Sequence, residues 1–188
     1  NNEVTGANGG SDDHGGISIY DGQYVNLLIS GNNSSNNGGD QPGLSFINNT
    51  LTSATIRNNT FSINPGAGIK LYNVTRGLVS ITDNAIFGNA AGASMSAGTT
   101  SVLDASANWW GSTDPTVVSP MMSGTVDFTP ILASGTDTEP LTPGFQPDLS
   151  VMTVHTFGSQ VGTTGRIQEG VDLVSGSTVN VAAGTYNE

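Results

Sequence analysis

The sequence predicts an all-β solenoid, in which short strands are stacked coil upon coil. Four segments can be superposed, and each opens with a glycine, at steps of 27, 25 and 24 residues: Gly16, Gly43, Gly68 and Gly92. An asparagine later in each segment follows the same steps: Asn32, Asn59, Asn84 and Asn108. Because the spacing of the glycines and the spacing of the asparagines change by the same amounts, the length differences between repeats fall outside the part between the two markers. Repeats of this length bury their apolar faces only against neighbouring repeats.

The composition favours strands and tight turns. Of 188 residues, 26 are glycine, 35% are hydrophobic and only 10% carry a charge. Asparagine, serine and threonine supply most of the polarity, and β-branched residues recur along the chain, which separates it from charged disordered sequences. β-Branched residues suit strands, while glycine and asparagine suit turns, so long amphipathic helices are not expected.

Each repeat contains two predicted strands. The first reads glycine, apolar, polar, apolar, an alternation that predicts a strand with one face inward, at residues 16–19, 43–46, 68–71 and 92–95. The second precedes a polar turn that contains the marker asparagine, and is predicted at residues 25–29, 54–56, 78–81 and 102–105. Equivalent strands of successive coils would form parallel sheets with a spacing of about 4.8 Å.

The marker asparagines would then lie one above another. Their amide groups can bond to each other and to the backbone of the turn, as in stacked asparagine ladders. The alternative is a row of ligand-binding side chains. We favour the structural role for Asn32, Asn59, Asn84 and Asn108, because asparagine tolerates the left-handed conformation that sharp turns require.

The segment after the fourth repeat resembles a known family. The motif Asn108-Trp109-Trp110-Gly111 is followed by Asp114-Pro115, Pro120 and the run at 126–130. Together these resemble the closing segment of right-handed parallel β-helices of the pectate-lyase-like superfamily, which occur in extracellular surface proteins of bacteria and archaea. The resemblance implies a right-handed parallel β-helix of about four to five coils in residues 1–132. It also implies that Trp109 and Trp110 form a lid, with a carbohydrate-stacking platform as the alternative.

Two further regions follow this stack. Residues 133–148 contain Pro140, Pro143 and Pro147 without periodicity, and predict a linker. Residues 149–188 predict a strand, one short α-helix and a second strand. The helix begins after Thr164 and carries an apolar face, formed by Ile167, Val171 and Val174.

The run 166–186 resembles the start of a β-helix in the same superfamily. There the short helix covers the bottom of the stack, and the strand that ends in Gly-Thr-Tyr forms the first coil. Here the order is inverted, because a starting cap follows a finished stack whose own first coil, near Gly16, has no cap.

Three arrangements of residues 149–188 remain open. The segment could dock on the first coil of the next subunit, which gives a head-to-tail filament, or fold back onto its own first coil. The chain could also be a piece of a longer tandem protein. We expect the filament, with the chain itself as partner. The predicted interface residues are Ile167, Val171, Val174, Val179, Val181, Tyr186, Ile17 and Ile19.

Charge and composition exclude several functions. Fifteen acidic and four basic residues give a net charge of −11, so no basic surface is available for nucleic acid. No apolar run approaches the ~20 residues of a membrane helix, and the absence of cysteine excludes thiol chemistry. Five Asn-x-Ser/Thr sequons arise easily by chance in such a sequence: Asn32, Asn33, Asn48, Asn58 and Asn73.

The sequence offers little for catalysis. Lyases of the superfamily use calcium-bound carboxylates with a basic proton acceptor, and hydrolases need paired carboxylates. Asp12 and Asp13 are candidate Ca²⁺ ligands, although a solvated loop is the simpler interpretation. No catalytic residue and no other cofactor is predicted. We therefore expect an extracellular structural protein rather than an enzyme. The alternatives are a polysaccharide lyase or hydrolase, or a carbohydrate-binding adhesin module.

Overall fold

The computed structural model describes residues 2–7, 14–95, 101–176 and 178–188, and confirms the all-β parallel solenoid. Along the chain, its elements are β1 (Glu3–Thr5), β2 (Ile17–Tyr20), β3 (Gln23–Tyr24), β4 (Leu27–Ser30), β5 (Asn33–Ser35), β6 (Leu44–Ile47), β7 (Thr50–Arg57), β8 (Thr60–Ser62), β9 (Ala67–Tyr72), β10 (Thr75–Thr82), β11 (Ala85–Phe87), β12 (Ala91–Met95), β13 (Leu103–Asp104), α1 (Pro115–Val118), β14 (Met122–Ser123), β15 (Val126–Asp127), β16 (Ile131–Leu132), β17 (Val151–Val154), α2 (Arg166–Leu173) and β18 (Thr178–Val181).

Three parallel sheets form the walls of the solenoid. Sheet A contains β1, β5, β8 and β11, and sheet B contains β2, β6, β9, β12 and β14. Sheet C contains β3 and β4 side by side on β7, followed by β10, β13 and β15. Every neighbouring pair within these sheets is parallel, so each strand lies directly on its equivalent in the next coil. The chain makes about six turns, more than the four to five predicted, because β1 and β14–β16 add turns outside the four repeats.

The interior is filled by columns of apolar side chains. Phe46 lies beside Leu71 in sheet B, and Ile56 lies beside Ile81 in sheet C. All four are at most 3% exposed and belong to one continuous core. Burial of each such side chain stabilises the fold by about 1.5–3 kcal/mol. The alternation read from the sequence places these residues inward, as expected.

Sequence reasoning missed the third wall of each coil. Strands of three residues, β5, β8 and β11, follow the first three marker asparagines directly, where a polar turn alone was expected. Each contributes a buried central residue, as Phe61 and Ile86 do. Three residues are too short for alternation to be read from sequence.

A short helix near the fourth coil was also missed. Asp114 caps α1 by accepting the Thr116 N–H at 2.8 Å, and Pro115 occupies the first turn. A 3₁₀ turn over Ser119–Met121 follows and leads into the last coil. The fold therefore has two short helices rather than one. Four residues give no helical periodicity that sequence analysis could detect.

The marker asparagines form a ladder through the turn between sheets C and A. In Asn32, Asn59 and Asn84, the backbone N–H and the Nδ2 group both donate to Oδ1 of the asparagine in the next coil. The Nδ2–Oδ1 distances are 2.9, 3.0 and 3.0 Å along Asn32, Asn59, Asn84 and Asn108. Asn2 adds a preceding rung, with its Nδ2 group 3.0 Å from the Asn32 Oδ1 atom. The ladder thus satisfies buried amides at every step of the stack.

A second ladder, which was not predicted, runs through the next turn. Asn37 donates from Nδ2 to Asn64 at 2.8 Å, and Asn64 donates in the same way to Asn89 at 2.9 Å. Its steps equal those of the first ladder, so the sequence did contain a signal for it. Ser34 and Asn37 also lie close to Gly16, where an added Cβ atom would clash with the Ser34 hydroxyl. This crowding explains the glycine that opens the repeat.

The third turn of the coil breaks this pattern. Asp21, Asn48 and Asn73 occupy it with positive φ angles of 44°, 54° and 51°. The residues that follow them are Gly22, Asn49 and Val74, so the middle coil alone has an amide there. Asn49 is 2% exposed, and neither its Oδ1 nor its Nδ2 atom has a hydrogen-bond partner. An unpaired buried amide costs about 1–3 kcal/mol.

The structure predicts opposite effects of one substitution in these two turns. Asn49→Val removes the unpaired amide and should raise the free energy of unfolding by about 1–2 kcal/mol. The matched control Asn59→Val removes the Oδ1 atom that accepts from Asn32, and should lower it by about 2 kcal/mol or more. Urea unfolding followed by circular dichroism measures both. Destabilisation of similar size in both variants would contradict the assignment of Asn49 as unsatisfied.

Residues 149–188 lie on the last coil of their own solenoid. β17 pairs antiparallel with β16, through Ile131↔Thr153 and Leu132↔Met152, and β18 pairs parallel with β17. The segment is thus not placed on the first coil, one of the three arrangements considered. On the last coil, Leu132 packs with Met152 of β17 in a second, smaller core, and both side chains are fully buried. Docking on another subunit remains a prediction.

The predicted linker packs against the side of the solenoid. Phe145 is 2% exposed and joins Leu132 and Met152 in a second, smaller core. Its N–H donates to the Asn58 carbonyl at 3.1 Å, and Asn58 Nδ2 donates to the Phe145 carbonyl at the same distance. One aromatic side chain therefore anchors the segment.

Candidate functional site

A groove lies on the outer face of sheet C. Its volume is about 880 Å³. Along its floor, Leu28, Thr55, Ser80 and Asp104 form one row across four coils, because the strands pair in register. The loop at 160–162 borders the row beside Asp104.

The groove is partly apolar and carries few charges. Leu28 is 54% exposed and Leu78 is 83% exposed, although both lie on a sheet face that is otherwise rich in hydroxyl groups. Arg57 and Asp104 are the charged residues in its lining. No aromatic ring lies there among the described residues, so the stacking platform common in sugar sites is missing from this face.

At the end of the groove next to the C-terminal segment, two carboxylates accept hydrogen bonds from polar side chains. Glu169 accepts from the Ser106 hydroxyl at 2.7 Å and from Gln160 Nε2 at 3.0 Å. Burial raises the pKa of Glu169, and these two hydrogen bonds oppose that rise. Asp104 accepts from the Ser80 hydroxyl at 3.0 Å. Because Glu169 lies on α2 and Ser106 on the stack, these bonds join the two parts of the chain.

Asp127 is a second polar anchor between the last coil and the C-terminal segment. It is fully buried, and its Oδ2 atom accepts the Val161 N–H at 2.6 Å. Burial raises the pKa of Asp127 to about 7, although the Val161 hydrogen bond opposes this rise. Burial therefore favours the protonated form of this carboxyl group relative to an exposed aspartate. Sequence analysis did not predict this anchor, because nothing in the sequence indicates that a single aspartate at the end of β15 is buried.

His155 packs beside this anchor. It is 1% exposed, its ring lies 4.8 Å from the Phe128 ring between centroids, and its Nδ1 atom accepts the Phe157 N–H at 3.2 Å. Burial lowers the pKa of His155 to about 4, and the nearby Arg166 guanidinium lowers it further. The same guanidinium donates to the carbonyls of His155, Phe157 and Gly158. The arrangement holds a loop in place rather than exposing a proton donor to a substrate.

Among the described residues, no element covers the first coil, which forms one end of the solenoid. Its inward side chains, Ile17, Ile19, Leu27 and Ile29, border an opening of about 350 Å³ that continues into the core. β1, β2 and β3 are terminal strands of sheets A, B and C. Ile17 and Ile19 were predicted at an interface, and they do lie at this open end.

The other predicted interface residues lie at the opposite end of the molecule. Val171 is 52% exposed and Val181 is 45% exposed. Ile167, Val174 and Val179 are partly buried within the chain, and the Tyr186 hydroxyl donates to the Ala182 carbonyl at 2.7 Å. β18 is the terminal strand of its sheet, so it leaves a free edge. The two predicted halves of an interface are thus on separate ends of one chain.

Of the remaining predicted residues, the two tryptophans pack in the apolar cores, and the two aspartates lie outside the described residues. Trp110 is fully buried in the main core, beneath Gly92, and Trp109 is partly buried against the second core. One more coil follows them, so they do not form the outermost layer. Asp12 and Asp13 lie outside the described residues. Within the described ranges, no group of three or more metal-ligating side chains comes together.

Comparisons with known proteins return no relative. No protein family, no curated protein and no solved structure matches the chain. In the part of the chain that the structure describes, no helix combines the length and apolar character needed to span a bilayer. Any functional conclusion therefore rests on the geometry itself.

The paired titrations of Asp127 and His155 predict a pH dependence. Because the folded-state pKa of Asp127 is raised from 3.8 to about 7, its contribution to the free energy of unfolding falls as the pH rises through that range. The folded-state pKa of His155 is lowered from 6.5 to about 4, so its contribution falls as the pH decreases through that range. The two effects oppose each other between about pH 4 and 6.5.

The Asp127→Asn substitution removes the opposing carboxyl titration, so the pH dependence of stability caused by His155 should become measurable. We expect the free energy of unfolding of the variant to fall by on the order of 1–3 kcal/mol between pH 6.5 and 4.5, while the wild-type value changes less. Urea unfolding followed by tryptophan fluorescence at the two pH values measures this difference. An equally flat response in the variant would contradict burial of the pair.

Proposed function

We propose that this chain is an extracellular structural protein that assembles head to tail, with the first coil of one copy joined to the C-terminal strand of the next. Membership of the right-handed β-helix superfamily is part of the proposal. The observation that carries it is the first coil, where terminal strands with no partner among the described residues lie beside an opening of about 350 Å³ lined by isoleucine and leucine side chains. A solenoid with such an end tends to associate unless something covers it.

The directions of backbone N–H groups at the two ends support pairing between β2 of one copy and β18 of the next. The N–H groups of Ile17 and Asp21 donate toward β6, so in alternating order the N–H of Tyr20 faces the open side. The N–H groups of Thr178 and Ala182 donate toward β17, so the N–H of Val181 faces the free edge of β18. Each end thus offers unpaired strand donors and acceptors.

The asparagine ladder presents a hydrogen-bond acceptor at the first-coil end. Asn2 donates to Asn32, but its own Oδ1 atom accepts from none of the described residues. An incoming segment that supplies N–H donors at this point would extend the ladder. The net charge of −11 opposes association of copies, so we expect assembly to strengthen as salt is raised toward 0.15 M, where the Debye length is about 8 Å.

Proline substitutions at the two free edges test the joint. Tyr20→Pro and Val181→Pro each remove an outward N–H without touching the existing pairing of that strand. We expect each variant alone to self-associate at least ten-fold more weakly than the wild type. An equal mixture should form a complex of two copies, because each variant keeps the end that the other has lost. Sedimentation velocity over a dilution series measures this.

The matched controls are Tyr20→Thr and Val181→Thr, which keep the N–H group and should assemble like the wild type. Monomeric wild-type protein at all concentrations and salt levels would refute self-assembly. A single proline variant that dimerises alone would show that like ends join, which contradicts the head-to-tail arrangement.

A second candidate function is carbohydrate binding or polysaccharide processing, supported by the groove of about 880 Å³ on sheet C. Its hydroxyl-rich floor crosses four coils, and Arg57 provides a cation for an acidic sugar.

Arg57→Ala should weaken binding of an acidic polysaccharide about ten-fold in calorimetry. Lys70→Ala, which changes the net charge equally in sheet B, is the control. Equal affinity in all three proteins would contradict a site in the groove.

A further inference from the structure

We infer that Asn48 is an acceptor site for an N-linked glycan. The sequence contains five Asn-x-Ser/Thr sequons, and the structure separates them by accessibility. Asn48 is exposed at a tight turn, with a φ angle of 54°, and its sequon hydroxyl, on Thr50, is also exposed. The inference rests on the proposed extracellular setting, since glycan transfer to asparagine accompanies secretion.

The other sequons are blocked by the fold. Asn32 is 6% exposed and its Nδ2 group is engaged in the ladder, while its sequon hydroxyl, on Ser34, is fully buried. The Oδ1 atom of Asn33 is buried. Asn58 donates from Nδ2 to the carbonyl of Phe145 at 3.1 Å, so the segment at 133–148 covers it. Three of the five sequons are therefore unsuited to an attached sugar in the folded chain.

Asn48 and Asn73 occupy equivalent positions in adjacent coils, and one hydrogen bond distinguishes them. Asn73 donates from Nδ2 to the Asn48 Oδ1 atom at 2.8 Å. The Asn48 Nδ2 group, which is the atom that receives the sugar, has no partner among the described residues. A sugar on Asn48 leaves its Oδ1 atom free to accept from Asn73, so modification preserves the contact between the coils. A sugar on Asn73 would crowd that contact.

The chemistry requires a lipid-linked oligosaccharide diphosphate and a transferase. The Asn48 Nδ2 atom attacks C1 of the first sugar, and an N–C1 bond forms. The bond between C1 and the phosphate oxygen breaks, the lipid diphosphate leaves, and one proton leaves Nδ2. The exposed turn allows Nδ2 to approach the donor from solvent, and a sugar there projects away from the sheets.

Transfer to the purified, folded chain in vitro tests the inference. The chain is incubated with an oligosaccharyltransferase and a lipid-linked oligosaccharide, and peptide mass spectrometry locates the product. We expect at least ten-fold higher occupancy at Asn48 than at Asn32, Asn33 or Asn58. Thr50→Ala should abolish transfer to Asn48, while Thr50→Ser should retain it. A synthetic peptide of residues 44–54 verifies that the enzyme accepts this sequon.

Three results would overturn the inference. They are an accepted peptide with no transfer to the folded chain, equal transfer to the buried sequons, or transfer to Asn48 that persists in Thr50→Ala. The readout is a glycan mass on one peptide, whereas the head-to-tail proposal is read from sedimentation. Failure of one can therefore be distinguished from failure of the other.

Discussion

Hydrogen bonding between equivalent residues of successive coils is the constraint on which this fold depends. The turns bury amide groups away from water, and the side-chain carbonyl oxygens of the two ladders are satisfied by the asparagine of the preceding coil. The Asn32–Asn108 ladder and the Asn37–Asn89 ladder meet this need in two of the three turns. The third turn lacks a continuous ladder, and Asn49 is left unpaired there. Stacking of asparagines therefore satisfies the buried amides of two turns but not of the third.

The two ends are treated differently. At the last coil, antiparallel pairing of β16 with β17 ends the parallel stack, and α2 packs against β17 and β18. Buried carboxyl and imidazole groups, Asp127 and His155, sit within this junction at a cost in desolvation. At the first coil, no described element plays a comparable role. The proposed head-to-tail assembly would cover this end with the C-terminal strand of a second copy.

Repetition made the fold readable from sequence. The shared steps of Gly16–Gly92 and Asn32–Asn108 reported the coil length, and alternation reported the inward faces of β2, β6 and β9. The strands β5, β8 and β11 escaped, because three residues carry no period. The docking of residues 149–188 on the last coil escaped for another reason: that surface exists only after the stack has formed. The burial of Asp127 has the same origin, while Trp110 reads as aromatic closure but lies one coil deeper.

The ladder of asparagines also has an electrical consequence. From Asn32 to Asn108, every side-chain carbonyl oxygen of the ladder faces the first-coil end, where it accepts from the asparagine of the preceding coil. The amide dipoles therefore add along the axis rather than cancel, as peptide dipoles do in a helix. The first-coil end carries the partial negative charge and the other end the partial positive charge. A fibre of copies joined in one direction would sum these moments, and its two tips would differ in potential as well as in shape.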